Sequence, residues 1–495
     1  MTSKQSKLWA DEPIPNGNIS IPYGLVRAVE HYLEKTGVLD LVDTFKAKGV
    51  PMRKIVTALC VHNLTGNNSM SDCSDWLSDP NVLRELSICG KLGQRTLNRG
   101  LVIIGEHTEE IICRLWNGIK DNFDLADTDV NVDGSAVTVY GPKSELGGFG
   151  YARDKNKGKR QVVFTVAELQ TARIPFYVRE FKGNTSDEVQ YRAVLPDIFE
   201  MIREGSWVVM DNGGASADIL DDIVERGHKY LTRVQMNVTD DRHIAEMKDD
   251  FEYFEGRVCC LKHVFTSSGR TTYLFFSSDL FIKSSYAAER KVNEMVDAAK
   301  HYSETGRVRK SDFVTLKKNL CADVTVNVSV QTKLEFDDEH EIERMVKAEI
   351  GPRCGFFKLE SSHELTPLEA LRKYRKRVTV EHLISSLKRV TGIKPLRVWS
   401  RQSIRGSLML GILSEVVIGM ARFEMETRTE TKRIDGKITE IASKPSVEYI
   451  VRSLGHLTVT RVIGEKGRRT AILSNWEPIS TEIMGIISRC ERLLA

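Results

Sequence analysis

The sequence predicts an α/β protein: a mixed five-stranded sheet with flanking helices, a strand-rich insertion, and helical N- and C-terminal regions. Three observations carry this. The hydrophobic period changes at Thr128 from helical spacing to alternation. Two apolar strands, Thr128–Asp133 and Ser206–Asp211, each end in an aspartate followed closely by glycine. A basic amphipathic helix, Pro367–Thr391, follows the insertion, with Thr366 and Pro367 as start signals and Gly392 and Pro395 as stop signals.

Taken in order, residues 1–21 read as a polar tail and 22–125 as a helical region that is a candidate for DNA binding. Helices are predicted over Leu25–Phe45, Met52–Leu64 and Gln94–Trp116, with Trp76 and Trp116 in the core. Gln94–Arg99, basic and polar after Gly93, is either the recognition end of a helix-turn-helix-like unit or a capped surface turn. In residues 126–236, the strand ending at Asp133 is followed by a second at Ala136–Tyr140. Between them, Gly134 lets the chain turn sharply. Next comes a glycine-rich cationic loop with Arg153, Lys155, Lys157, Lys159 and Arg160, suited to tracking phosphates. Gln161–Leu169 and Pro175–Phe181 complete an antiparallel meander. The Gly183–Glu188 turn opens a helix capped by Ser186 or Asp187, so Asp187 is not read as a site residue. The strand ending at Asp211, a helix at Ala217–Arg226 and a strand at Lys229–Val234 follow. This β-β-β-α-β-α-β order is that of an RNase H-like fold.

Residues 237–350 form the strand-rich insertion, with a charged helix at Ser284–Tyr302 and a last strand at Thr325–Phe336. Residues 351–425 return to the core, and 426–495 read as a helical interaction region. Leu408–Ala421 carries Glu415 and is too short to span a membrane, so it reads as a buried helix, and no membrane partner is expected.

Composition narrows the class. Apolar residues make up 41% of 495 and charged residues 28%, ordinary for a soluble globular protein. A net charge of +3 announces no polyanion partner, so any DNA surface must come from local clustering. Nine cysteines without C-x-x-C spacing argue for reduced thiols, and the first fifteen residues carry no apolar run. An intracellular, cytoplasmic protein is expected.

In the helix Pro367–Thr391, Tyr374, Arg377, Glu381 and Lys388 fall within an arc of roughly 60° at 100° per residue. Val380, Leu383, Ile384 and Leu387 form the neighbouring apolar stripe. Arg375, Thr379, His382 and Ser386 are placed on the solvent side. A plain i, i+4 ion pair between Arg377 and Glu381 would also explain part of this spacing. With Asp133 and Asp211, Glu381 makes a set of three carboxylates without histidine or cysteine. That donor set suits hard cations such as Mg²⁺ or Mn²⁺ rather than zinc.

The pattern Y-x2-R-x3-E-x6-K, preceded by NVDGS and VVMDNGG, resembles the signature of insertion-sequence DDE transposases. The resemblance covers nearly the whole chain. It implies a metal-dependent phosphoryl-transfer enzyme that hydrolyses DNA at terminal inverted repeats and joins the ends to target DNA. Asp133 would bridge two metals, Asp211 hold one and Glu381 the other. Arg377, Lys388 and Tyr374 would contact phosphates of the transposon end. The partners implied are double-stranded DNA and a second copy in a synaptic homodimer, in a prokaryotic cell. Some relatives stack a flipped base on a tryptophan in the insertion. Residues 237–350 here contain none, leaving Tyr253, Phe254 or Tyr273 for that role. The rivals are an RNase H-like nuclease without strand transfer and a non-catalytic transposase-derived DNA-binding protein.

Overall fold

The computed structural model describes residues 21–90, 92–140, 142–151, 158–305, 339–434, 437–463 and 469–494. The chain divides into two compact units, residues 1–230 with 373–495, and residues 231–372.

The first unit opens with helices α1 (Tyr23–Lys35), α2 (Val38–Thr44), α3 (Met52–Leu64), α4 (Met70–Trp76), α5 (Pro80–Glu85), α6 (Gln94–Glu106) and α7 (Thr108–Asn122). The helix expected from Leu25 to Phe45 is two, because Gly37 takes φ 71°, a left-handed conformation that ends α1. The one expected from Gln94 to Trp116 breaks at His107. Ile21, assigned to the polar tail, is buried and bridges Val459. Trp116 is buried in the core against Phe176, as expected.

The sheet of this unit has the order β3-β2-β1-β4-β5. Its strands are β1 (Val130–Thr138), β2 (Gln161–Leu169), β3 (Pro175–Lys182), β4 (Trp207–Met210) and β5 (Lys229–Val234), with α8 (Asp187–Phe199) after β3 and α9 (Ala217–Glu225) after β4. The meander β1-β2-β3 is antiparallel, and β4 runs parallel to β1. One expectation fails here. Asp133 does not end a strand, because Gly134 and Ser135 stay paired with Thr165 and Phe164 in one unbroken register through Thr138. A nine-residue β1 replaces the two short strands.

The chain passes into the second unit within β5, whose residues 231–234 pair antiparallel with β10 (Phe356–Ser361). Between them lie α10 (Val238–Glu246), β6 (Phe251–Glu255), β7 (Val258–Leu261), β8 (Phe265–Ser267), β9 (Arg270–Ser277), α11 (Ser278–Thr305) and α12 (Glu339–Ile350). The strand order is β5-β10-β9-β7-β6, with β8 on β9. The charged helix is longer than the Ser284–Tyr302 expected, and the strand expected at Thr325–Phe336 lies outside the described residues. Tyr273 is fully buried and its hydroxyl accepts from Leu365 N–H at 2.8 Å, so it offers no face to a base. Tyr253 is 61% exposed.

Where the sequence suggests one helix from Pro367 to Thr391, the structure has two, α13 (Pro367–Arg375) and α14 (Val378–Arg389). A reciprocal cap between Thr366 and Glu369 starts α13. In the first unit, α14 is followed by α15 (Arg401–Glu424), which is long and apolar enough to cross a membrane but is buried within the protein. The C-terminal region is not purely helical. It carries the antiparallel hairpins β11 (Arg428–Ile434)–β12 (Lys437–Ser443) and β13 (Thr458–Ile463)–β14 (Arg469–Ser474), beside α16 (Val447–His456) and α17 (Pro478–Leu494). Its β-branched residues at alternate positions, as in Thr429-Glu430-Thr431, favour strands over helix.

Candidate active site

Parallel pairing of β1 with β4 places the two aspartates. Val130 faces Val208 and Asn131 faces Val209, an offset of 78 that carries Asp133 to Asp211. The ladder itself stops at Asn131 and Val209; β4 ends at Met210 and the chain turns through a 3₁₀ segment at Asn212–Gly214. Gly213 allows this turn to pack against the start of α8. A Cβ at that position would lie 2.8 Å from Asp187 Oδ2.

The third carboxylate is brought in by the α13–α14 break. Residues near the end of a helix have carbonyls without intrahelical partners, and here the sheet supplies donors. Fully buried Asn131, on β1, donates from Nδ2 to Lys376 O at 3.2 Å and to Thr379 Oγ1 at 2.9 Å. Gln170 donates to Asn131 Oδ1 at 2.7 Å and to Lys373 O at 3.3 Å. Lys373 Nζ lies 2.6 Å from Asp129 Oδ2. This latch holds the backbone before Arg377 and the Thr379 side chain after it, at the start of α14, where Glu381 sits in the first turn. Val380, Leu383, Ile384 and Leu387 are buried as expected. Thr379 and Ser386, placed on the solvent side by the helical-wheel reading, are buried too. Thr379 takes part in the latch, and Ser386 donates to Glu415 Oε1 of α15 at 2.7 Å.

Asp133, Asp211, Arg377 and Glu381 line one cavity of about 620 Å³. Arg377 is its electrostatic centre. Nη1 lies 3.3 Å from Asp133 Oδ2 and Nη2 donates to Glu381 Oε1, with the guanidinium side chain 12% exposed. Burial pushes the Asp133 carboxyl up to about 6, with Asp211 and Glu381 adding to it, against the opposing pull of Arg377 and the Gly134 N–H. Burial alone would lower the Arg377 pKa, but Asp133, Tyr374, Glu381 and Asp211 raise it overall. Its Cζ stands 5.7 Å from the Tyr374 ring centre. Among the described residues no three His, Cys, Asp or Glu side chains converge closely enough to hold a metal together. The donor chemistry still fits a hard cation: the carboxylates supply oxygen alone, and a guanidinium already bridges two of them.

A family model described as the transposase DDE domain matches residues 126–414. The chain belongs to this family. Its match begins just before β1 and ends within α15, so it takes in all three carboxylates of this DDE transposase. Among solved structures, the chain is similar to the piggyBac transposase in a cryo-EM structure of its synaptic complex with hairpin DNA. The identity is 9%, covering 89% of this chain and 80% of that chain, with a TM-score of 0.42. A comparison with curated proteins gives no match. The sheet order and family match together make the core of this transposase the RNase H-like fold expected.

The cations expected to touch DNA are distributed unevenly. Lys388 Nζ donates to Ser135 Oγ on β1 at 2.8 Å, which anchors the end of α14 beside the cavity. Arg160 donates within its own loop, to Pro142 O at 2.6 Å and Gly147 O at 2.6 Å. Lys159 is exposed and lies over the Tyr140 ring. Arg153, Lys155 and Lys157 lie outside the described residues. At the start of α6, Arg95, Asn98 and Arg99 are all exposed.

The sequence reading missed three members of this region. Asn131 and Gln170 build the latch, and their only sequence signal is a polar residue beside strongly apolar strands. Asp187, dismissed as a cap, lines the same cavity as Asp133 and Asp211, and Ser186 makes no side-chain cap bond.

Proposed function

We propose that this transposase cuts DNA at the terminal inverted repeats of its own element and joins the freed 3′ ends to target DNA. The observation that carries the reading is the meeting of Asp133, Asp211 and Glu381 on one cavity beside an arginine suited to phosphate. Asp133 would hold divalent cations from within β1 and Asp211 from the end of β4, with Glu381 completing the set from α14. When bound, two Mg²⁺ or Mn²⁺ ions would neutralise charge on the scissile phosphate and lower the pKa of the attacking water.

The protein's own contribution is placement. Arg377 offers a planar fork to a phosphate, Lys388 a point charge, and Tyr374 the ring beside Arg377. In the first reaction water displaces the 3′ oxygen from phosphorus, leaving a 3′-hydroxyl on the element. In the second that hydroxyl attacks a target phosphodiester and displaces the target's 3′ oxygen. The number of phosphodiester bonds is unchanged in the joining step, so no external energy source is needed. Joining two ends calls for a synaptic homodimer. The exposed Arg95, Asn98 and Arg99 of α6, with Lys159, are the candidates for contacts outside the cavity. The expected setting is the cytoplasm of a prokaryotic cell.

The test is cleavage of labelled DNA carrying the element's ends, with Mg²⁺, comparing wild type with Glu381→Gln. The substitution keeps size and removes charge. Nicking should vanish while end binding survives, and persistent nicking by the variant would remove Glu381 from the site. Supplying pre-cleaved ends and target DNA separates a transposase from a nuclease, which would yield no joined product.

A further inference from the structure

The Arg377 side chain bridges two of the three candidate carboxylates. Asp133 Oδ2 and Glu381 Oε1, two oxygens the proposed chemistry needs, are both bonded to the Arg377 guanidinium. We propose that Arg377 is a resident counter-ion that couples metal loading to DNA binding. Without DNA it occupies the carboxylates, and a DNA phosphate draws it away and opens them to the metal. The inference rests on the function proposed above and adds its regulation.

Three features support an exchange rather than a fixed ion pair. First, the two occupants compete, because the guanidinium already sits on Asp133 Oδ2 and Glu381 Oε1 and like charges a few ångströms apart repel strongly in a buried site. Second, the chain beside Arg377 is held by Asn131 at the Lys376 carbonyl and the Thr379 hydroxyl, so the long side chain is the part able to move. Third, the pair is unequally buried. Arg377 is 12% exposed and Asp133 18%, but Glu381 is 50% exposed, so one side of the bridge opens to solvent where DNA would arrive. A phosphodiester can replace both carboxylates as partner, since its two free oxygens match the guanidinium fork. The consequence is that the enzyme without DNA would hold metal poorly. Linkage is reciprocal, so metal must tighten DNA binding by the same factor that DNA tightens metal binding.

The experiment is calorimetric titration of Mn²⁺ into the full chain, with and without a duplex oligonucleotide carrying the element's terminal repeat. Wild type, Arg377→Gln and Asp133→Asn are compared, and Arg377→Lys serves if the glutamine variant unfolds, since lysine keeps the charge but cannot span both carboxylates. DNA should tighten Mn²⁺ binding to wild type about tenfold or more, within the ordinary range for coupled sites. DNA-free Arg377→Gln should bind Mn²⁺ as tightly as the wild-type complex, with little further gain from DNA; the lysine variant should fall between. If the Arg377 variants bind no tighter than wild type without DNA, while Asp133→Asn loses binding, the coupling is wrong and the proposed site stands. If Asp133→Asn binds Mn²⁺ as wild type does, the site assignment fails and this inference fails with it.

Discussion

The latch beneath the α13–α14 break is the sharpest test of how this sheet positions its third carboxylate. Asn131→Ala removes three hydrogen bonds at a fully buried position, those to Thr379 Oγ1, Lys376 O and Gln170 Nε2. None of the partners is left entirely alone. Lys376 O still accepts from the Thr379 hydroxyl and N–H, and Gln170 still reaches Lys373 O. The cost is therefore that of three ordinary hydrogen bonds plus a small void, about 2–4 kcal/mol. The functional cost should exceed the share of unfolded protein, because Arg377 and Glu381 lose the anchor that sets their approach to Asp133. Urea unfolding gives the stability change, and cleavage of end DNA at a temperature where both proteins are folded gives the activity. The expected result is a lower midpoint and at least a tenfold slower cleavage, with end binding largely kept. A variant within about 0.5 kcal/mol of wild type and equally fast would show that the break needs no latch.

Other consequences are as direct. Gly213→Ala places a Cβ 2.8 Å from Asp187 Oδ2 and should displace the turn after Asp211, slowing cleavage with only a small change in melting temperature. Burial pushes Glu415 up to about 8 and Glu168 up to about 7, both raised from ordinary glutamate values near 4.5. A carboxyl raised in the folded state contributes stability fully present below its unfolded pKa and lost as pH rises through the folded one. Wild-type stability should therefore fall between about pH 4.5 and 8, at up to about 1.4 kcal/mol per pH unit for each such group. Glu415→Gln retains an acceptor for Ser386 and should flatten part of that slope in unfolding curves across pH; an unchanged slope would mean that Glu415 is ionised when folded.

What the sequence made legible was whatever rests on local pattern. β2, β5 and α3 appear with the expected bounds because their apolar spacing and flanking turns agree. The two aspartates and Glu381 were legible as residues, but the reason they meet was not. That reason is a register between β1 and β4, strands separated in sequence by the whole meander and α8. The strand end placed at Asp133 failed because glycine permits a turn without requiring one, and pairing with β2 decided the outcome. The single helix drawn through Tyr374, Arg377, Glu381 and Lys388 failed for a related reason. Helical spacing describes a continuous wheel, whereas sheet donors here stabilise an interruption that no helix propensity records.

The interruption also changes what the shared signature means physically. On one straight helix Arg377 and Glu381 would be an exposed i, i+4 pair worth a few tenths of a kcal/mol. At the break, Arg377 is turned toward Asp133 and buried, so the same two residues join a network of three acids around one cation. Such a network is costly to bury unless each charge is matched. Asp133 already shows the strain of partial matching, with burial raising its pKa despite the neighbouring guanidinium. A site so arranged would gain from admitting more positive charge, and more so if a bound phosphodiester excluded water from it. On the function proposed here, the surplus of carboxylate over cation around Arg377 would favour entry of further positive charge.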